Sequence, residues 1–187
     1  NSVANGKIIK KTKFKKVYIS PNPGDAGGSV GSAAFFLENK LKYSISVKNY
    51  EYLGKSYSND EIEKIIKNVI DNKKYNLKFL NFEEMYPLIG GKLVEEKVIG
   101  WFQGKMEWGP RALGNRSIIA DARNPKIKDI INLKIKRREN FRPFAPSILK
   151  QYVKDWFNED IDVPYMSQVS LIKNEKRKQL PGITHID

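Results

Sequence analysis

Six of the seven arginines in this chain fall between Arg111 and Arg142, whereas its 27 lysines run from Lys7 to Lys178. A planar guanidinium holds two oxygens of a phosphate or carboxylate at once, while an ammonium is a flexible point charge. Codon usage that favours Lys, Asn and Ile thins arginine everywhere but does not cluster what remains. Any fold that gathers these groups must place an anion among them, because converging cations otherwise repel. The window opens with GKMEWGPRALGNRSI and closes with KIKRRENFRPFAPSIL, and it reads as an anion-binding site. The competing reading is surface pairing with Glu and Asp, which contributes little and which lysine would serve equally well.

The remaining composition bounds the class. The 187 residues allow one domain or one and a half, and 40% hydrophobic with 11% aromatic residues suffice for a core and exclude a disordered tail. No apolar run approaches the roughly 20 residues of a membrane span, and no signal-peptide pattern opens the chain. Without cysteine there is no disulfide framework, thiolate metal site or cysteine nucleophile. A cytoplasmic protein is expected. The start at Asn1 and the end at THID suggest a segment of something longer. A net charge of +13 permits nucleic acid or anionic metabolites as partners, although Lys7, Lys10, Lys11, Lys13, Lys15 and Lys16 are expected to form a solvated edge.

Local signals sketch the elements. Val17–Ser20 is a strand candidate before the PNPGDAGG turn, and a buried helix is expected from Ser29. A connector follows to about Tyr57, with a strand candidate at Tyr43–Val47. Ser58 or Asn59 caps a helix whose stripe is Ile62, Ile65, Ile66, Val69 and Ile70. Asn81 starts a second helix, which Gly90 and Gly91 weaken. Val98–Gln103 and Ser117–Ala122 are strand candidates. Asn124-Pro125 opens a helix with Ile127, Ile130, Ile131 and Ile135 buried. Ser147–Leu149 and Met166–Ile172 complete the strands. Alternating strands and helices predict an α/β class with a mixed sheet.

The loop from Gly104 to Ser117 combines three glycines, Pro110, Lys105, Arg111 and Arg116, and the helix downstream delivers Lys136, Arg137 and Arg138, with Arg142 beyond. Neither GxxxxGK[ST] nor a strand-linked GxGxxG is present. From the residues alone, the expectation is a phosphoester-binding α/β domain.

The segments GKMEWGPRALGNRSIIADAR and INLKIKRRENFRPFAPSIL resemble the carboxy-terminal domain of the nodulation and cephamycin type O-carbamoyltransferases. The pattern of that family is G-R-x-E-[FW]-G-P-R-A-L-G-x-R-S-I, then K-x-R-E-x-F-R-P-F-A-P-S. NSVANGKI and PNPGDAGGSVGSAAF resemble the close of its actin-like domain, and LPGITHID resembles its P-[AG]-x-T-H-x-D segment. The resemblance implies a YrdC-like mixed twisted sheet with flanking helices over 46–187, preceded over 1–45 by a strand–turn–helix remnant of the actin-like domain. It implies activation of carbamoyl phosphate by ATP with Mg2+ to carbamoyl adenylate, then transfer to the hydroxyl of a small-molecule acceptor. Arg111, Lys136 and Arg138 would be catalytic. Lys105, Gly114, Asn115, Arg116, Ser117, Arg142 and Ser147 would bind substrate and phosphates. Asp25 would be one ligand of an iron-type divalent metal whose histidines lie upstream in the full-length protein. Position 105 is usually arginine in the family and is Lys105 here, and the chain stops before the family's G-T-x-R-x-Q segment.

Other residues carry two readings. Asp25 is equally a turn aspartate capping a helix, and His185 a structural residue. Glu107 is a candidate base or metal ligand, but orientation of Arg111 or Arg116 is favoured. Trp101, Trp108 and Trp156 are expected in the core, with Trp108 nearest the loop, and Phe141 and Phe144 should wedge the arginine segment onto it. A different class of function, an RNA-binding module of YrdC-like fold, predicts a broad basic face with exposed aromatics. Arginine clustering in one glycine-framed loop favours a compact anion, so nucleic acid is not the expected partner.

Overall fold

The computed structural model describes residues 1–45, 51–70 and 74–185. Helix α1 (Ser2–Lys11) starts at Asn1, whose Oδ1 accepts from the Val3 and Ala4 amides at 3.0 and 3.1 Å. It docks on the distant 167–169 segment. Asn5 Nδ2 donates to Ser167 O at 2.7 Å, the Val169 amide donates to Ser2 O at 3.2 Å, and Gly6 is buried against the Val169 backbone. Lys10 pairs with Glu159, so this part of the basic edge is anchored rather than merely solvated.

Helix α2 (Asp25–Asn39) begins four residues before the expected Ser29, with Gly24 as N-cap. No residue of α2 is buried, and Phe35 and Phe36 are exposed, contrary to the expected buried helix. Helices α3 (Asn59–Val69) and α4 (Phe82–Val94) each start with a complete capping box, Ser58 with Glu61 and Asn81 with Glu84. The spacing of the α3 stripe is correct, yet Ile65 is 52% and Val69 76% exposed. An amphipathic face forms from local sequence, but burying it needs a neighbour.

Strands β1 (Ile99–Phe102) and β2 (Arg116–Ile119) pair antiparallel, with Ile99 opposite Ile119 and Phe102 opposite Arg116. This is the one sheet among the described residues, so the α/β class holds while the expected mixed sheet is reduced to a hairpin. Residues 51–55 run beside its connecting loop: the Gly54 amide donates to Met106 O, Met106 to Lys55 O and Trp108 to Glu51 O, at 2.9, 3.0 and 2.7 Å. Val17–Ser20, Ser147–Leu149 and most of Met166–Ile172 are not strands. A strand exists only with a partner edge, and these segments have none among the described residues. Leu149 instead caps a 3-10 turn (Lys150–Tyr152), Met166 sits at φ +51, and only Ile172 forms an isolated bridge, to Phe157. Of the Tyr43–Val47 candidate, 43–45 are in no strand and the rest lies outside the described residues.

Asn124-Pro125, expected to open the next helix, instead forms a turn ahead of it: Asn124 Oδ1 accepts from the Lys126 amide at 2.8 Å, and the helix starts at Ile127 with Lys126 as N-cap. One α-turn, α5 (Ile127–Asp129), passes into a π-helix over Ile130–Lys136. Short helices α6 (Val153–Trp156) and α7 (Asn174–Arg177) follow. Among the described residues Ile127, Ile131, Phe157 and Ile172 form the buried apolar core, with Gly182 pressed against Ile127.

Candidate anion-binding site

The loop between β1 and β2 makes three left-handed turns, at Gly104 (φ +51), Gly109 (φ +109) and Gly114 (φ +110), where glycine avoids the Cβ clash. It closes around a negative charge that it supplies itself. Glu107 is 8% exposed, and its Oε1 accepts from the amides of Leu113, Asn115 and Arg116 at 2.6, 2.8 and 3.2 Å. The Gly114 amide donates to Ser117 Oγ at 3.0 Å, and Asn115 Nδ2 donates to Lys105 O at 2.7 Å. Tyr52 reaches in from the flanking segment to donate to Leu113 O at 2.8 Å. Burial acts to raise the Glu107 pKa, but the donors from Asn115, Leu113 and Arg116 outweigh it and hold the carboxyl below the usual glutamate value. Glu107 therefore organises loop backbone, where the sequence favoured orientation of a guanidinium. The amides of Leu113, Asn115 and Arg116 face a carboxylate, and Gly114, Asn115 and Ser117 serve that internal framework.

The six arginines of the window take different partners. Arg116 stacks on Phe102, 3.5 Å from the ring centroid, and donates to Gln103 O, Asn115 O and Gly104 O at 2.6, 2.8 and 3.2 Å. Arg123 pairs with Asp121, and Arg142 with Glu139. Arg138 Nε donates to Asn132 Oδ1 at 2.7 Å, and its guanidinium lies 5.0 Å from the Phe144 ring. Arg111 and Arg137 are exposed, without a side-chain hydrogen bond or ion pair among the described residues. Lys105, Lys136 and Ser147 are exposed as well.

Asn132 was not singled out by sequence, yet it organises the second half of the window. It is 0% exposed, and its Nδ2 donates to Arg142 O at 3.0 Å and Asn140 O at 3.4 Å while its Oδ1 receives Arg138. The wider π-helical turn explains why Asn132 takes an inward position while Ile135, assigned to the stripe by a 3.6-residue period, is exposed. At the helix end Arg137 adopts φ +49, and the Arg138 amide returns to Asn132 O at 2.9 Å. This reversal makes a shallow hollow, largely open to solvent, lined by Leu133, Arg137, Arg138, Glu139 and Arg142. Arg111 and Arg116 do not line it, so the structure gathers the downstream arginines and leaves the loop arginines elsewhere. Phe144 packs beneath Arg138, whereas Phe141, expected as a wedge, is 77% exposed.

Asp25 lies exposed in the first turn of α2 and is not its cap. No group of three His, Cys, Asp or Glu side chains able to hold a metal occurs among the described residues. His185 Nε2 accepts from the Phe144 amide at 3.3 Å, which ties the segment after Arg142 to the 180–185 turn. Trp108 is half-buried beside Glu51, and Trp156 lies under Lys176.

The PNPGD turn touches the glycine loop through Asn22. Its side chain is buried at 4% exposure, and its Nδ2 has no acceptor among the described residues. A Cβ on Gly109 would stand 2.7 Å from that Nδ2 and 2.9 Å from Cγ, besides the strain of φ +109. Gly109→Ala is therefore expected to destabilise the chain by about 2 kcal/mol, measured by chemical denaturation. A neutral result would show that Asn22 and the loop move apart freely.

Comparison with known proteins matches two stretches of the chain. Residues 91–187, just over half of the chain, match the family model for the carbamoyltransferase C-terminus, and residues 1–34 match that for the carbamoyltransferase N-terminus. The chain belongs to the carbamoyltransferase family. An uncharacterized protein of Synechocystis sp. is 39% identical over 212 residues, covering 100% of this chain and 34% of its own length. The nodulation protein NolNO of Sinorhizobium fredii is 32% identical over 192 residues, covering 100% of this chain and 28% of its own. The 3'-hydroxymethylcephem-O-carbamoyltransferase of Streptomyces clavuligerus is 26% identical over 174 residues, covering 93% of this chain and 30% of its own. The chain thus spans about a third of the length of the curated relatives it matches. No helix among the described residues is long and apolar enough to cross a membrane.

Proposed function

We propose that this chain is part of a cytoplasmic O-carbamoyltransferase and contributes the anion-holding surface of carbamoyl activation. The observation that carries this reading is the hollow lined by Arg137, Arg138 and Arg142, in a chain of carbamoyltransferase family membership. Residues 46–187 would form a YrdC-like activating domain, and 1–45 the end of an actin-like transfer domain. Water takes the phosphate from carbamoyl phosphate, the carbamate released displaces pyrophosphate from ATP, and the carbamoyl adenylate passes its carbamoyl group to an acceptor hydroxyl. Each departure leaves charge on oxygen, which positioned guanidiniums neutralise without covalent chemistry. Arg138 and Arg142 hold phosphate in the hollow, with Lys136 and Ser147 on the flanking backbone, while Arg111 and Lys105, exposed on the glycine loop and outside the hollow, would serve a separate part of the reaction. Mg2+ arrives with ATP. A hydroxyl-bearing small molecule is the acceptor, in keeping with the cephem substrate named for the Streptomyces clavuligerus relative.

Calorimetry with carbamoyl phosphate and a non-hydrolysable ATP analogue tests this. Wild type should bind both, and Arg138→Ala should weaken carbamoyl phosphate binding about 10-fold, the loss of one charge-assisted contact. Absence of binding by a folded sample at millimolar ligand would overturn the reading. The exposed stretch Lys13-Phe14-Lys15-Lys16 favours the RNA-binding alternative, for which the mark would be tight RNA binding with a steep salt dependence.

A further inference from the structure

We infer that Glu139 is a displaceable counter-anion occupying the arginine hollow, and that Arg137 is a further guanidinium waiting there for an incoming dianion. The inference rests on the anion site proposed above and extends it to two residues given no role by the resemblance. The hollow is lined by three guanidinium groups, one carboxylate and Leu133. Two positive charges therefore remain in excess, the complement of a phosphate monoester or inorganic phosphate dianion.

The three arginines differ in readiness. Arg138 is fixed through Nε to Asn132 and by the Phe144 ring, which leaves its terminal nitrogens without a protein partner among the described residues. Arg142 is engaged by Glu139, with Nε 2.8 Å from Oε2 and Nη2 3.5 Å from Oε1. Arg137 has no partner among the described residues and occupies the left-handed conformation that turns the chain into the hollow. A non-glycine residue in that region is disfavoured, and here the reversal is held by the Arg138 amide bond to Asn132 O.

The Glu139–Arg142 pair spans three residues, and both side chains are half in solvent. Such pairs contribute little and exchange readily. The Glu139 carboxyl is held below the usual range by its own backbone amide and by Arg142, so it is ionised wherever a phosphate ligand would be. It occupies one arginine as a phosphate oxygen would, and an incoming dianion must displace it and then tolerate its charge nearby. Removing that charge should tighten binding, whereas a residue that merely orients Arg142 should weaken binding when removed.

The test is titration of the whole chain with inorganic phosphate at fixed ionic strength, followed by calorimetry and amide NMR. Glu139→Gln should bind about 3- to 10-fold more tightly than wild type, the Coulombic effect of one nearby charge in a wet site. Glu139→Asp, which keeps the charge, should stay near wild type and guards against a folding artefact in the glutamine variant. Arg137→Ala should bind about 10-fold more weakly, with partial recovery in Arg137→Lys. Unchanged or weaker phosphate binding by a folded Glu139→Gln, or wild-type binding by Arg137→Ala, overturns the inference. A parallel arm with carbamoyl phosphate separates the two claims. If that ligand binds no more tightly than inorganic phosphate the carbamoyl reading fails, while the Glu139 and Arg137 comparisons still decide this one.

Discussion

Asn132→Leu is expected to dismantle the arginine hollow while leaving the β1–β2 hairpin intact. Leucine has nearly the same shape but no polar atoms, so Arg138 Nε loses its acceptor and the Arg142 and Asn140 carbonyls lose their donor inside the protein. Leaving part-buried polar groups unpaired, one of them charged, should cost about 2 kcal/mol. In amide NMR, resonances of 130–144 should shift or broaden while those of 99–119 stay in place. Phosphate binding should disappear with the hollow. A variant that melts like wild type and still binds would mean that the π-helical corner is held by something other than Asn132.

Glu107→Ala is expected to have an effect of similar size in the other half of the window. Three amides lose their common acceptor, at a cost of about 3 kcal/mol. Glu107→Gln should lose less, because an amide oxygen still accepts but without charge. The pH dependence separates this role from simple packing. The folded-state pKa of Glu107 is lowered, so its contribution is fully present above the ordinary glutamate value of about 4.3 and is lost as pH falls through the depressed folded value. Wild type should lose stability over that acidic window, and Glu107→Gln should lose less of it. Parallel acid-denaturation curves for the two proteins would refute the assignment.

What was legible in the sequence follows the range of the signals. Ser58 with Glu61 and Asn81 with Glu84 are three-residue capping boxes, and α3 and α4 start where they say. The apolar run at 99–102 and the one after Arg116 found each other across the glycine loop. The candidates at 17–20, 147–149 and 166–172 had suitable residues but no partner edge among the described residues. The site divides in the same way. Clustering located the window, and the chain reversal near Lys136 brought Arg138 and Arg142 together. Arg116 was absorbed by carbonyls of its own hairpin, and Arg123 by Asp121. One signal was available and passed over, a lone asparagine in the isoleucine run INLKI, while the lone carboxylate of GKMEWGPRALG was picked out but assigned to a guanidinium rather than to the loop backbone.

Residue choice alone determined where guanidinium charge is concentrated, which helices start where, and to which family the chain belongs, since each is a property of neighbours along the chain. Tertiary structure alone decided which arginines remain free. A guanidinium is consumed by whichever carbonyl or carboxylate the fold brings within hydrogen-bonding distance. For Arg116 that choice was made by strand register, and for Arg138 by the extra width of a π-helical turn that carries Asn132 inward.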